Sequence, residues 1–256
     1  MQKNRIKHTY PLQHYNLNAA REIVPYLINK FHPQSVVDVG CGPGTFLKVF
    51  LDNGIEDILG IDGNWIDKSN LFIPEVYIKE EDLEKKIIIN KKFDLVMCLE
   101  VAEHLSEKSE DILIDNLTSL GDKIIFSAAV IHQGGQNHLN EQSPVYWAEK
   151  FEKKGFVFYD VFRKHFWYNA NVNWWYKQNM FLALNKTIDI SQYSFTINNF
   201  QQIQEYVHPE LLALYANELL DVKMRLNKIK QGKASGKLYL QMLKKKISIK
   251  FFKRQK

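Results

Sequence analysis

The sequence predicts an α/β fold in which helices cover both faces of one doubly wound, mostly parallel seven-stranded sheet with an antiparallel last strand. Short apolar runs alternate with helical patterns as far as residue 184, which is typical of a parallel sheet. The runs are continuously apolar rather than alternating in polarity, which indicates strands covered on both faces. A helical appendage is predicted to follow the sheet.

Seven apolar runs are predicted as the strands. In chain order they are SVVDVG (35–40), DILGID (57–62), EVYIK (75–79), FDLVMCL (93–99), KIIFSAAV (123–130), FVFYDVF (156–162) and NMFLAL (179–184). The last two are joined by an aromatic-rich segment without a helical pattern. This connection predicts an antiparallel hairpin at the edge of the sheet.

Helical spacing fills most of the other intervals. The predicted helices cover 17–31, 44–54, 109–121 and 143–155. Ser143 suits an N-cap, Pro144 the first helical position and Gly155 a stop. These segments supply the layers on the two faces of the sheet.

Length and charge indicate one large domain with an extension. The 256 residues, 45% of them hydrophobic, suffice for a full core. We predict a Rossmann-like domain at 1–184 and a helical C-terminal extension with a basic amphipathic tail at 185–256. Of the 34 basic residues, eleven lie in 228–256 without an acid, which leaves 23 against 29 acidic residues elsewhere.

The difference in charge between the tail and the rest of the chain indicates which partners to expect. A basic, partly apolar tail suits peripheral contact with an anionic membrane through 228–256, and a solvated tail is the alternative. The acidic body makes nucleic acid an unfavoured partner. No apolar run is long enough to span a bilayer, and the N-terminal residues lack the apolar middle of a signal peptide. We therefore predict a cytoplasmic protein, with its tail at the membrane surface.

The stretch VVDVGCGPGTF (36–46) contains three glycines at the end of the first predicted strand. Ligands of parallel sheets bind at the carboxyl ends of strands. A P-loop is excluded because no Gly-Lys-Ser/Thr follows, and neither register gives the third glycine of a dinucleotide fingerprint. A tight turn without a ligand is the alternative, but three glycines are a high conformational cost for a turn.

Two acids accompany the glycines. Asp38 lies within the first strand, Asp62 ends the second, and no Lys or Arg occurs between Val36 and Phe46. A carboxylate after the second strand suits the two hydroxyls of a ribose. Such a site suits a nucleoside with positive charge better than a pyrophosphate, and S-adenosylmethionine is such a nucleoside.

With GID (60–62), EEDLE (80–84) and FDLVMCLEVAEHL (93–105), the glycine stretch resembles the class I S-adenosylmethionine-dependent methyltransferases over about residues 17 to 184. The resemblance implies S-adenosylmethionine as the cofactor. The residues it implies for binding are Asp38, Gly40, Gly42, Gly44, Asp62, Asp82, Leu83, Leu99 and Glu100.

The resemblance also implies a role for each position. The three glycines would line the methionine and ribose portion, with Asp38 near the ammonium group and Asp62 on the ribose hydroxyls. Asp82 and Leu83 would flank the adenine, and Leu99 and Glu100 would border the methionine. For Asp82 the alternative is a solvated charge run, KEEDLEKK (79–86).

The acceptor is expected beside residues that follow the fourth and fifth strands. The loop 128–147 carries His132, His138, Asn140 and Glu141, and a histidine suits the general base for a hydroxyl. We predict His138 or His132 as the catalytic base. A metal site is an alternative because His and Glu can be ligands, but their spacing is nonspecific and we predict none. Capping of the helix near Pro144 is a further alternative.

Three further residues complete the predicted acceptor site, together with Asn140 and Glu141. His104 follows the fourth strand in EVAEHL (100–105), where it is first of all a pocket-shaping residue. Trp174 and Tyr176 lie in an aromatic segment with interspersed Asn and Gln, which suits a sugar ring; a core hairpin is the alternative. NEQ (140–142) and WWYKQN (174–179) resemble methyltransferases of bacterial glycan assembly.

The sequence thus predicts O-methylation of a sugar, such as a glycan or glycan precursor, or of another small polar hydroxyl compound, by in-line transfer. Two alternatives stay open at this point. One is an RNA methyltransferase that uses the basic tail. The other is a methyltransferase-like scaffold that binds without turnover.

Overall fold

The computed structural model of the chain describes residues 16–193, 195, 203–233 and 235–236. These residues divide into two units, Met1–His208 and Pro209–Lys256. The predicted boundary after residue 184 lies earlier in the chain, within the last strand (Phe181–Asn185). Residues 203–208 belong to the first unit, since Arg163 Nη1 donates to the Gln204 carbonyl (2.6 Å) and His208 N donates to Gln178 Oε1 (2.7 Å).

The first unit contains the predicted seven-stranded sheet. The strands are β1 (Ser35–Val39), β2 (Asp57–Asp62), β3 (Ile78–Glu80), β4 (Leu95–Leu99), β5 (Lys123–Ser127), β6 (Phe156–Tyr159) and β7 (Phe181–Asn185). Their order is β3-β2-β1-β4-β5-β7-β6. Only β7 runs against its neighbours β5 and β6. The doubly wound, mostly parallel sheet and its antiparallel last strand are confirmed, with the strand order reversing between β1 and β4.

Seven α-helices accompany the described strands. They are α1 (Asn18–Phe31), α2 (Thr45–Asp52), α3 (Glu110–Leu120), α4 (Pro144–Lys153), α5 (Arg163–Phe166), α6 (Trp174–Asn179) and α7 (Pro209–Lys230). Ser143 caps α4 as predicted, because its side chain accepts the Tyr146 N–H, with Pro144 in the first turn.

The expectation that the segment between the last two strands is non-helical is wrong, because α5 and α6 lie there. The physical reason is visible at Phe162 and Phe166. They stand four residues apart and are both buried, a spacing that a helical chain brings to one face. Tyr26 of α1 packs edge-on against both rings.

The hydrophobic core lies on both faces of the sheet. Successive residues of β1 alternate between two clusters: Val36 packs on one side with α1 and α2, and Val37 on the other with α3 and α4. The five residues of β1 are all buried. A strand buried on both faces carries the continuous apolar run seen in the sequence.

The second unit is described as far as α7 and a few residues beyond it. No helix among the described residues is both long and apolar enough to cross a membrane. Residues 237–256 lie outside the described residues, so membrane contact through 228–256 stays a prediction.

Candidate active site

A cavity of about 410 Å³ opens at the carboxyl ends of β1, β2 and β4, where the strand order reverses. The segment 133–138 and the start of α6 complete its walls. The predicted residues that line it are Asp38, Gly40, Asp62, Leu83, Leu99, Glu100, His104, His138, Trp174 and Tyr176. Gly42, Gly44, Asp82, His132, Asn140 and Glu141 do not belong to this lining.

The glycine turn leaves β1 in the left-handed region. Gly40, Gly42 and Gly44 have φ of 82°, 51° and 81°. A Cβ on Gly40 would stand 2.3 Å from a methyl carbon of Val101, and one on Gly44 would stand 2.8 Å from Ile73. Glycine is therefore needed at 40 and 44 for backbone conformation and close packing, in addition to any ligand.

Asp62 holds this turn from the end of β2. Its carboxylate accepts the N–H of Gly42 at 2.8 Å and that of Gly63 at 2.6 Å, and the side chain is buried. Charged acceptors make the stronger backbone hydrogen bonds. Asp62 thus shapes the turn and also presents its acid to the cavity.

Asp38 is buried beside Asp62. Burial, and then the charge of Asp62, raise the pKa of Asp38 to about 7. No lysine or arginine belongs to the described lining, whereas four carboxylates do: Asp38, Asp62, Glu100 and Glu103. This charge distribution fits a cationic nucleoside and disfavours a polyphosphate.

The adenine side of the predicted site is partly assembled. Leu83 and Leu99 line the cavity. The Asp82 carboxylate instead accepts the Glu84 N–H at 3.2 Å and pairs with Lys85 at 3.3 Å. Phe46 and Trp65 also line the cavity; they were missed because an isolated aromatic residue near a turn carries no pattern.

Glu100 follows β4 with φ of 55°, which is rare for a residue that has a Cβ. Its backbone N–H donates to the Ser127 carbonyl at 3.0 Å, and its carboxylate accepts from Gln133 (3.3 Å) and Asn179 (3.2 Å). Burial raises the pKa of Glu100. Left-handed residues of this kind cluster at functional sites.

Beside Glu100 lies a cluster formed by Glu103, His104 and His138. One possible ligand atom from each of the three lies within 4.8 Å of the others. The two imidazole rings meet edge to face, with centroids 4.9 Å apart. Glu103 is completely buried, which raises the pKa of its carboxyl well above the usual range.

Glu141 and Asn140 lie outside the cavity lining and hold the loop that carries His138. The Glu141 carboxylate accepts the Gly134 N–H at 2.7 Å and lies 2.8 Å from His138 Nδ1. Asn140 donates to Glu110 at 2.6 Å, so that its side chain ties the loop to α3. His132 is exposed, with φ of 68°.

An aromatic wall bounds the cavity at the start of α6. Trp174, Trp175 and Tyr176 line it, and Tyr176 meets Phe46 of α2 edge to face at 5.6 Å. Tyr168, from the same aromatic-rich segment, is 92% exposed. The segment therefore divides into cavity-lining, core and surface residues.

Comparisons with known proteins agree with this arrangement. A family model described as "Methyltransferase domain" matches residues 12–123. The fold is similar to that of S-adenosylmethionine-bound CalS10, an amino pentose methyltransferase from Micromonospora echinaspora. That match has a TM-score of 0.54 and 12% identity, and it covers 70% of this chain and 98% of that one.

Two further structures share the fold. Streptomyces venezuelae DesVI has a TM-score of 0.51 and 11% identity, with 66% of this chain and 91% of that chain covered. A candidate O-methyltransferase of Nostoc punctiforme has a TM-score of 0.50 and 16% identity, with 68% and 58% covered. No curated protein matches the sequence.

The matched domain, the strand order and the acid-lined cavity at the switch point lead to one conclusion. Residues 12–123 match a methyltransferase domain, and the fold is that of the class I S-adenosylmethionine-dependent methyltransferases.

Proposed function

We propose that the enzyme methylates a hydroxyl group of a sugar, such as a glycan or glycan precursor, or of another small polar molecule. The observation that carries the proposal is the composition of one cavity. It joins an acid-lined cofactor half to a wall with two histidines and a wall with three adjacent aromatic residues. Aromatic faces beside polar side chains suit a sugar ring, whose faces are apolar and whose rim is polar.

The cofactor half holds the methyl donor. Asp38 would lie at its ammonium group, Asp62 at the ribose hydroxyls, and Leu83 and Leu99 along its apolar surfaces. When bound, S-adenosylmethionine supplies an electrophilic methyl group, and the electron pair of the broken carbon–sulfur bond stays on sulfur. The residues around it fix the direction from which the acceptor oxygen can approach.

In this proposal His138 takes the proton of the acceptor hydroxyl. Its Nδ1 lies on the Glu141 carboxylate, which favours the tautomer with Nδ1 protonated and Nε2 free to accept a proton. Nε2 lies beside Gly135, where a Cβ would stand 2.2 Å away. The glycine therefore leaves room for the ring in this orientation.

One of the fold neighbours acts on a sugar. CalS10 is described as an amino pentose methyltransferase. Its likeness to this chain concerns the fold, so the acceptor class rests on the cavity walls. Amines are the rival acceptors, and the assay includes them.

The test is an assay of methyl transfer to a panel of sugars, nucleotide sugars, phenols and amines. We expect a hydroxyl acceptor, and His138→Gln should lower kcat by about 10²–10⁴-fold with little change in cofactor affinity. His132→Gln, at an exposed position outside the lining, separates the two predicted bases. Transfer to amines alone, or an equal effect of both variants, would contradict the proposal.

A further inference from the structure

We propose that Glu103, His104 and His138 bind one divalent first-row transition-metal ion in the wall of the cavity. The proposal that a metal binds here depends only on these three residues. A role of the metal in the reaction rests on the proposed function. The chain was expected to lack a metal site, because the spacing of its His and Glu residues is nonspecific.

The three side chains lie close enough together to share one ion. The three possible ligand atoms lie within 4.8 Å of one another. Ligands that stand about 2.1 Å from a tetrahedral ion are roughly 3.4 Å apart. Small rotations of the side chains would close that difference.

Glu103 is buried next to a second acid, Glu100. It has no exposed surface, and neither carboxylate oxygen makes a well-formed hydrogen bond among the described residues. A buried polar group without a partner is costly, and such groups point to an unseen ion or water. A cation between Glu103 and the two imidazoles would supply the missing interaction.

The His138 ring is held in place by a carboxylate. Ligand histidines commonly place their second nitrogen on a carboxylate, which fixes the tautomer and the ring orientation. Glu141 provides this contact at Nδ1, 2.8 Å away, and is itself held by the Gly134 N–H. This contact leaves Nε2 as the ring nitrogen of His138 that could bind an ion.

The loop is also fixed relative to Glu103. The Glu103 carbonyl accepts the N–H of Leu139 at 2.7 Å and that of Asn140 at 3.1 Å. His138 is thus tethered through its own neighbours to the residue that carries the carboxylate. The cluster is built from two segments that the backbone holds together.

The donor set indicates the class of metal. Two imidazole nitrogens and one carboxylate oxygen suit Zn²⁺, Co²⁺, Fe²⁺ or Mn²⁺ better than Mg²⁺ or Ca²⁺, which prefer oxygen ligands. All three residues line the cavity, so a remaining coordination position would be open to an acceptor oxygen. Three protein ligands and one open position are typical of catalytic sites.

A bound cation would change one part of the mechanism. His138 Nε2 would be a ligand instead of the base, and the cation would lower the pKa of a coordinated hydroxyl. The proton would leave to water in the open cavity, the oxygen would form its bond to the methyl carbon, and the carbon–sulfur electron pair would stay on sulfur.

The binding test uses the full chain after chelator treatment and dialysis. Calorimetry and visible absorption follow titration with Co²⁺, and calorimetry alone follows Mg²⁺. We expect one equivalent of Co²⁺ to bind and to show the visible d–d absorption of a Co²⁺ ion with nitrogen ligands. Mg²⁺ should bind much more weakly. Glu103→Gln and His138→Gln should each weaken Co²⁺ binding at least about tenfold. His32→Asn, at the left-handed end of α1, is the histidine control.

Near-UV circular dichroism establishes that each variant is folded. The inference is overturned if folded wild-type protein binds no Co²⁺, or if both ligand variants bind it as tightly as the His32→Asn control. The methylation assay separates this failure from failure of the proposed function. If the chelated protein still methylates hydroxyls and binds no metal, the proposed function holds and the metal site is overturned. If the protein binds the metal but methylates no hydroxyl, the metal site holds and the proposed function is overturned.

Discussion

Gly40 shows how backbone conformation and packing act on one residue. Its φ is 82°, and a Cβ there would overlap Val101, which lies beyond the end of β4. Gly54, at the end of α2, has nearly the same φ of 84° but no atom within 4 Å of a built Cβ. A comparison of substitutions at the two positions therefore distinguishes the cost of a left-handed backbone from the cost of steric overlap.

We predict that Gly40→Ala destabilises the protein by about 1–3 kcal/mol more than Gly54→Ala, because overpacking adds to a similar backbone strain. Denaturant unfolding of both variants measures the difference. Adding Val101→Ala should recover part of the loss at Gly40 but none at Gly54. Equal effects of the two glycine substitutions would contradict this explanation.

Asp38 gives the site a pH dependence. Its pKa of about 7, raised by burial and then by Asp62, means that part of the unliganded protein holds a proton there at neutral pH. A cationic ligand would favour the carboxylate and lower this pKa. Binding below pH 7 must then release a proton.

Affinity for S-adenosylmethionine should therefore be constant above about pH 8 and fall by up to about tenfold per pH unit below 7. Calorimetry across this range measures the slope. Asp38→Asn should bind more weakly and lose this part of the slope. An unchanged slope in the variant would assign the titration to another group.

At the scale of the elements, β1 and β4 were predictable because each is a fully buried apolar run. The edge strand β3 is less regular: it covers only Ile78–Glu80, and residues 75–77 of the predicted strand form a 3-10 turn. The α5 and α6 region was not predictable, because its aromatic residues serve three different environments. Phe166 is in the core, Trp174 lines the cavity and Tyr168 is exposed. Local pattern cannot assign these environments, since tertiary packing decides them.

The start of α6 should act on the acceptor rather than on the cofactor. We predict that Trp174→Ala raises KM for the acceptor about 3–10-fold, through lost aromatic contact, while cofactor affinity changes little. Tyr168→Ala is the matched control, because this ring is 92% exposed. A loss confined to cofactor affinity would place Trp174 in the other half of the cavity.

In the loop 128–147, the sequence did not reveal which polar side chains reach the cavity. Its polar residues were expected to surround the acceptor. Instead, Glu141 supports His138 from behind and Asn140 is directed to Glu110. Which of several nearby polar side chains reaches a cavity depends on backbone hydrogen bonds, such as those to the Glu103 carbonyl, that no residue pattern reveals.

At the scale of the whole molecule, the sheet brings the two halves of the site together. The cofactor half follows β1, β2 and β4, which are parallel neighbours in the sheet, so that their carboxyl ends meet where the strand order reverses. The acceptor half comes from segments after β4 and β5 and before β7. The cofactor was therefore predictable from the sequence, whereas the acceptor walls required the fold.

Every role assigned to the cavity beside the glycine turn requires that this cavity bind S-adenosylmethionine. Calorimetric titration of the folded full chain with its demethylated product tests this most directly. We predict one site of micromolar affinity, weakened at least about tenfold by Asp62→Ala through loss of charged hydrogen bonds. Asp57→Ala, at the opposite end of β2, should have no effect. An absence of binding to the folded wild-type protein, or equal affinity in the Asp62 variant, would contradict the claim.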